Sequence, residues 1–225
     1  MIRSIFEVKV NLHEMLRLSN WDYFVRLLRG RVFMDIDIKK LSPNLLNDFL
    51  FYFDNVAFAD HEEWSGCYCV EPHLCEKIEK ELPKGTKSNC RDYAIDFIKC
   101  GKLQGYLAYC DGEVAGWCNV NDKSNYEKIA ARKELWTDED NHKKIKSIMC
   151  FTVAPNMRKK GIAAKLLERI CEDSLAGNYD IVEAYPYKGE PNAFYYFSGP
   201  VVMYEKYGFS VFRELKHDLI VRKYL

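Results

Sequence analysis

The sequence predicts an α/β fold, and three observations carry that reading. From Ile148 to Ala176 a β-branched strand, a basic turn holding one glycine and an amphipathic helix follow one another without a break. A further strand, Asp180 to Tyr185, restarts directly after Gly177, so the unit reads β-turn-α-β. Upstream, residues 104–110 and 113–118 flank an Asp111-Gly112 pair; Asp-Gly between arms rich in Tyr, Val and Trp predicts a two-residue β-hairpin.

Taken from the start, residues 12–29 pattern as an amphipathic helix carrying Leu16, Trp21, Phe24, Val25 and Leu28. Residues 32–38 alternate as a strand, and Ser42-Pro43 opens a second helix through Phe53, with proline where its missing N–H costs nothing. Residues 1–33 are expected to be a helical extension to a domain spanning 34–225, whose front segment, about 54–100, is elaborated.

The front segment holds Asp60-His-Glu-Glu-Trp-Ser-Gly-Cys-Tyr-Cys69 and Glu71-Pro-His-Leu-Cys75. Cys67, Cys69, His73 and Cys75 are soft enough for zinc, but their spacing is more compressed than that of structural zinc sites, and no metal is expected. Two readings of the rest stay open. His61, Glu62, Glu63, Trp64, Tyr68 and Glu71 could form a substrate-facing wall that offers charge and aromatic surface, or Trp64 and the cysteines could be core and the acids surface.

Between the hairpin and the strand at Ile148 lies a long polar connection, residues 121–146, with a helical candidate at 126–135. Loops of this length in compact domains are uncommon and often functional, so it is expected either to rim the active site or to be a solvated insertion.

In the β-turn-α-β unit, Ile162, Leu166 and Ile170 recur at spacing four beside Ala163, Leu167 and Cys171, which makes one broad apolar face. Gly177 is expected at the C′ position. The turn before the helix carries Arg158, Lys159, Lys160 and Gly161. Unpaired N–H groups, a positive helix end and a glycine that admits close approach together suit a phosphate; a basic loop that merely caps the helix is the alternative. The turn is neither a G-x-x-x-x-G-K-[ST] nor a G-x-G-x-x-G loop.

Composition excludes several classes. Thirty-three basic and thirty-three acidic side chains give a net charge of zero, which leaves no nucleic-acid footprint. Apolar runs are short and broken, so no membrane span is expected, and the first residues lack the pattern of a secretion signal. Nine cysteines, an odd number, suit a reducing cytoplasm, with Cys110, Cys118, Cys150 and Cys171 at core positions.

The stretch V-A-P-x-x-R-x-x-G-I-A, from Val153 to Ala163, resembles the acyl-coenzyme-A signature of the Gcn5-related N-acetyltransferase (GNAT) superfamily, and Met203-Tyr-Glu-Lys-Tyr-Gly-Phe209 is similar to that family's Tyr-x-x-x-Gly-Phe helix. With the hairpin, the resemblance covers about half of the chain. It implies the acyl-CoA N-acyltransferase fold, a mixed and mostly antiparallel sheet that splays open at the cofactor and is flanked by helices. It also implies an acetyl-CoA-dependent N-acetyltransferase, by direct attack of a primary amine of a small molecule or peptide. Cys150, Phe151, Thr152 and Val153 would then hold the pantetheine arm, and Arg158, Lys159, Lys160, Gly161, Ile162 and Ala163 the pyrophosphate. Tyr204 would be the proton donor; the candidate bases are Glu183 on its strand and Glu63, Glu62, His61 or Glu71 from the front, and a water chain could also carry the proton. Where many members carry a cofactor-contacting asparagine, seven residues before the tyrosine, this chain has Phe197, and Ser198 is expected to cap the helix instead. A non-catalytic acyl-CoA sensor or scaffold is the second reading, and a metal-stabilised interaction module on a degenerate core is the third. Monomer and homodimer are both compatible with the sequence.

Overall fold

The computed structural model describes residues 34–74, 87–189 and 197–225. The expected helix at 12–29 and Cys75 lie outside the described residues. Residues 36–225 gather into one compact unit built on a seven-stranded sheet, ordered β1-β2-β3-β4-β5-β7-β6. The strands are β1 (Ile36–Lys40), β2 (Gly105–Cys110), β3 (Glu113–Asp122), β4 (Ile145–Val153), β5 (Ile181–Ala184), β6 (Ser210–Glu214) and β7 (Leu219–Tyr224). Every pairing is antiparallel except β4 with β5, which the intervening helix makes parallel. The sheet is therefore mixed and mostly antiparallel, as expected.

The β2–β3 hairpin turns through Asp111 and Gly112, both at positive φ (50° and 88°), the geometry whose twist matches the flanking strands. Strand β1 pairs along Ile36–Lys40 and so ends two residues later than the alternation suggested. Pro43 opens a short 3-10 turn, Pro43–Leu45, which leads into α1 (Leu46–Asn55). With α2 (Lys87–Lys99), α1 covers the front face of the sheet. Phe49, Tyr52, Phe53, Ala94 and Ile98 are buried there against Leu107 and Trp117, and the Phe49 and Trp117 rings meet edge to face at 5.0 Å.

The back face is covered by α4 (Ile162–Ala176), whose Ile162, Leu166, Leu167 and Ile170 are all buried. Each such side chain contributes about 1.5–3 kcal/mol of burial. Gly116 allows close packing: a Cβ there would stand 2.8 Å from Ile162 Cγ2. Arg169 adds a hydrogen bond to the Ile38 carbonyl at 2.9 Å. Gly177 does not take the left-handed position expected of it. Its φ is −83°, and Asn178, at φ 54°, takes that conformation instead.

The connection between β3 and β4 is not a solvated insertion. It contains α3 (Glu127–Ala131) and several 3-10 turns, and it buries Tyr126, Ile129 and Leu135 against Ile220, Met149, Tyr185, Phe212 and Leu215. Its two ends also bury charge. Lys123 Nζ lies 3.2 Å from Asp140 and 2.9 Å from Glu183, and Arg222 pairs with the same two carboxylates at 2.9 and 2.6 Å. All four side chains are at most 2% exposed. Two positive and two negative groups cancel, and removing any one would leave an uncompensated buried charge at a cost of about 3–5 kcal/mol.

Candidate functional site

Strand β4 creates the opening. It pairs with β5 only from Ile145 to Ile148, opposite Ile181 to Ala184, and then runs on without it. Cys150 faces Asn119 and Ile148 faces Val120 on β3, so Met149 is an extra, bulged residue where the two strands part. Beyond it, the β5-facing edge of residues 149–153 has no strand partner among the described residues, while the other edge stays paired with β3. Tyr52 of α1 holds this free half from the front by donating to the Thr152 carbonyl at 2.8 Å.

The strand leads through a 3-10 turn, Pro155–Met157, to the N-terminus of α4. Gly161 is the N-cap, at φ 88°, with no side-chain cap and no acidic residue in the first turn. Nothing lies within 4 Å of where a Cβ on Gly161 would stand. The helix therefore presents an uncapped positive end to open space between exposed Lys159 and Lys160. Such a cradle fits the pyrophosphate of an acyl-coenzyme A. Arg158 is already engaged: its guanidinium forks onto Asp60, with one contact at 3.0 Å, and its Nε donates to the Val153 carbonyl at 3.2 Å. The hydrogen bond from Arg158 holds the Asp60 carboxyl below its usual range.

Tyr204 lies on α5 (Val201–Lys206), 1% exposed, with its ring 6.4 Å from Phe151 of the free half of β4 and 5.3 Å from Phe209. Burial pushes its phenol well above the ordinary value, so it stays protonated. The hydroxyl donates to the Ser198 carbonyl at 2.7 Å. Ser198 does not cap the helix: the N-cap is Pro200, and Ser198 Oγ accepts from the Tyr187 N–H at 3.3 Å. Phe197 is half exposed.

Glu183 does not face the opening. It is fully buried, with one oxygen taken by Arg222 and the other by Lys123 and by the Tyr185 hydroxyl at 2.6 Å. Its position on a strand next to α4 was legible, whereas its cationic partners lie 39 and 60 residues away in the chain and left no local signal.

The front cluster divides three ways. His61 stacks on Trp64 at 3.9 Å between ring centres, and its Nδ1 lies 2.9 Å from Glu63. Its Nε2 is 4.0 Å from Asp60, so this group abuts the Arg158 turn. Tyr68 is instead buried and donates inward to Asp54, which Arg91 also holds. Glu71 pairs with Lys128 of α3, and Glu62 is exposed. Sequence reasoning missed Asp60 as the partner of Arg158, and also a polar seam behind the cluster. In that seam buried His73 Nε2 meets Asn119 Nδ2 at 3.4 Å, and Asn119 Oδ1 accepts from Tyr126 at 2.9 Å. Among the described residues no three His, Cys, Asp or Glu side chains gather as a metal site. Two cavities among the described residues lie elsewhere: one of about 290 Å³ is at the C-terminal end of α4, lined by Asp173, Ser174 and Gly177. Another, of about 440 Å³, lies in the β3–β4 connection beside Trp136.

A splayed parallel pair, an uncapped glycine turn and a buried tyrosine beside them define an acyl-CoA-type transferase fold. Residues 102–211, just under half of the chain, match the family described as acetyltransferase (GNAT) domain, and this segment is a GNAT domain. Among solved structures it is similar to a polyamine N-acetyltransferase of Drosophila melanogaster that forms N-acetylagmatine (8% identity, 85% of this chain and 100% of that one, TM-score 0.53). A GNAT-family acetyltransferase of Listeria monocytogenes matches at 12% identity over 84% and 95%, with TM-score 0.54. The PaiA N-acetyltransferase of Thermoplasma acidophilum, solved with coenzyme A, matches at 15% over 85% and 100%, with TM-score 0.50. At these identities the likeness is one of fold. No curated protein sequence gave a significant match. No helix among the described residues is long and apolar enough to cross a membrane.

Proposed function

We propose that this chain is an acetyl-CoA-dependent N-acetyltransferase that acts on a primary amine of a small molecule or peptide. The observation that carries the reading is the open, positive-φ Gly161 at an uncapped helix end, directly after a strand whose far edge has no strand partner among the described residues. Acetyl-CoA would supply the activated acyl thioester. Main-chain amides of Arg158 to Ala163, with Lys159 and Lys160, would hold its pyrophosphate, and the free edge of Cys150, Phe151, Thr152 and Val153 its pantetheine arm.

Tyr204 serves as the acid. Its protonated phenol needs only to turn from the Ser198 carbonyl to donate toward a departing thiolate. For the base, Glu183 is set aside because both its oxygens are neutralised by cations. Glu63 is held below its ordinary range by the hydrogen bond from His61, which makes it a weak base. A carboxylate can only accept, so Nδ1 of His61 donates to it and Nε2 is left to receive a proton, directly or through water. Glu63 is then the residue that orients the imidazole, and Trp64 and Glu62 offer the adjoining surface for the amine.

Screening primary amines against acetyl-CoA by release of free thiol tests the proposal. Release that depends on one amine class supports it. Cofactor binding with no release for any amine would favour a non-catalytic acyl-CoA sensor.

A further inference from the structure

Three cysteines converge where the front segment meets β4. After Gly66 (φ 91°), Tyr68 and Cys69 both take positive φ, 43° and 48°, and the Val70 N–H donates to the Cys67 carbonyl at 3.4 Å. Two successive left-handed residues other than glycine form a turn that L side chains avoid, so its surroundings must impose it. Tyr68 is fastened to Asp54, and Asn119 Nδ2 donates to the Cys69 carbonyl at 2.9 Å. The result aims Cys69 Sγ at Cys150 Sγ, 2.8 Å away. That is within about 0.8 Å of the ~2.05 Å of a formed disulfide. The two residues are 4% and 8% exposed and therefore out of reach of a bulky reagent. Cys67, two residues before Cys69 on the same turn, is exposed, and the hydrogen bond from Cys69 draws its thiol below the ordinary range.

We propose that Cys69 and Cys150 are a reversible disulfide site, entered through Cys67 by a low-molecular-weight disulfide. The Cys67 thiolate attacks one sulfur of the reagent, and the first small thiolate leaves. Cys69 gives up its proton and attacks Cys67 Sγ, which expels the second small thiolate. Cys150, deprotonated in turn, attacks Cys69 Sγ and releases Cys67 as a thiolate. Two protein thiols have lost two electrons and two protons, and the small disulfide has become two thiols. The new bond ties the front turn to β4 just past its last pairing with β5, and the assignment does not depend on the enzymatic reading.

The test uses the full chain, reduced, then incubated with oxidised glutathione, alkylated under denaturing conditions and mapped by peptide mass spectrometry. The expected product is one Cys69–Cys150 cross-linked peptide with Cys67 alkylated, fully reversed by dithiothreitol. In Cys67→Ser the same product should form at least about tenfold more slowly. Alkylated Cys69 and Cys150 after oxidation, a Cys67–Cys69 disulfide as the end product, or an unchanged rate in Cys67→Ser would each overturn the proposal. The first two readouts need no variant, so a folding defect in a mutant cannot mask them.

Discussion

His73 should make the fold lose stability in a pH window of its own. Its imidazole is fully buried between Phe97 and Tyr126, and among the described residues its Nδ1 has no partner at full hydrogen-bond geometry, the Asn125 backbone making only a weaker contact with the ring. Burial drives its pKa from 6.5 to about 4; the Asn119 amide opposes that shift and Lys102 adds to it. Between those two values the unfolded chain binds a proton that the folded chain refuses, so the unfolding free energy falls as pH falls and is unaffected above the window. The full shift corresponds to about 3 kcal/mol. The depressed carboxyls Asp54, Asp60, Asp122 and Asp140 act lower, because their folded-state stabilisation is lost only as pH drops below their ordinary 3.8. Urea unfolding of the parent and of His73→Gln at about pH 7 and about pH 4.5 isolates the term. The parent should lose about 2–3 kcal/mol more than the variant over that interval. Parallel loss in the two proteins would refute the buried-neutral assignment.

Tyr204→Phe should lower kcat about 10²-fold or more while the Kd for acetyl-CoA barely moves; a rate within about twofold of the parent reassigns the residue to packing. Arg222→Met should cost about 3–5 kcal/mol in urea unfolding because Glu183 and Asp140 lose a shared cation, and a loss under about 1 kcal/mol would mean that the quartet does not hold the insertion. Trp64→Ala should raise KM for the amine. Because Trp64 is only partly buried, its melting temperature should stay near the parent's rather than fall as a core truncation of about 3–5 kcal/mol would demand.

Periodic and local features were readable in the sequence: the Asp111-Gly112 hairpin, the α4 stripe from Ile162 to Ile170, and the glycine turn at Gly161. Each is fixed by residues within one turn or one strand pair of one another. Long-range pairing was not readable. Lys123, Asp140, Glu183 and Arg222 are separated by up to 99 positions, and a charged residue in a polar stretch carries no mark of burial. The front cluster looked like one patch because its residues are adjacent in sequence. Its left-handed turn at Tyr68 and Cys69 carries both of those side chains inward while Glu62, Glu63 and Glu71 stay exposed, and no glycine or asparagine at those positions announced the turn. Asp60 was in plain view, but its role depends on Arg158, 98 residues on.

The central claim is that the turn before α4 binds acetyl-CoA through its backbone. Isothermal calorimetry with acetyl-CoA, on the parent and on Gly161→Val, tests it most directly. Valine disfavours φ 88° and places a side chain in the open cradle, where its Cβ would have no protein atom within 4 Å. The parent should bind with one site per chain, and the variant, with an unchanged circular-dichroism spectrum, should show no measurable heat. Equal affinity in the two proteins, or no binding by the parent, would contradict the account.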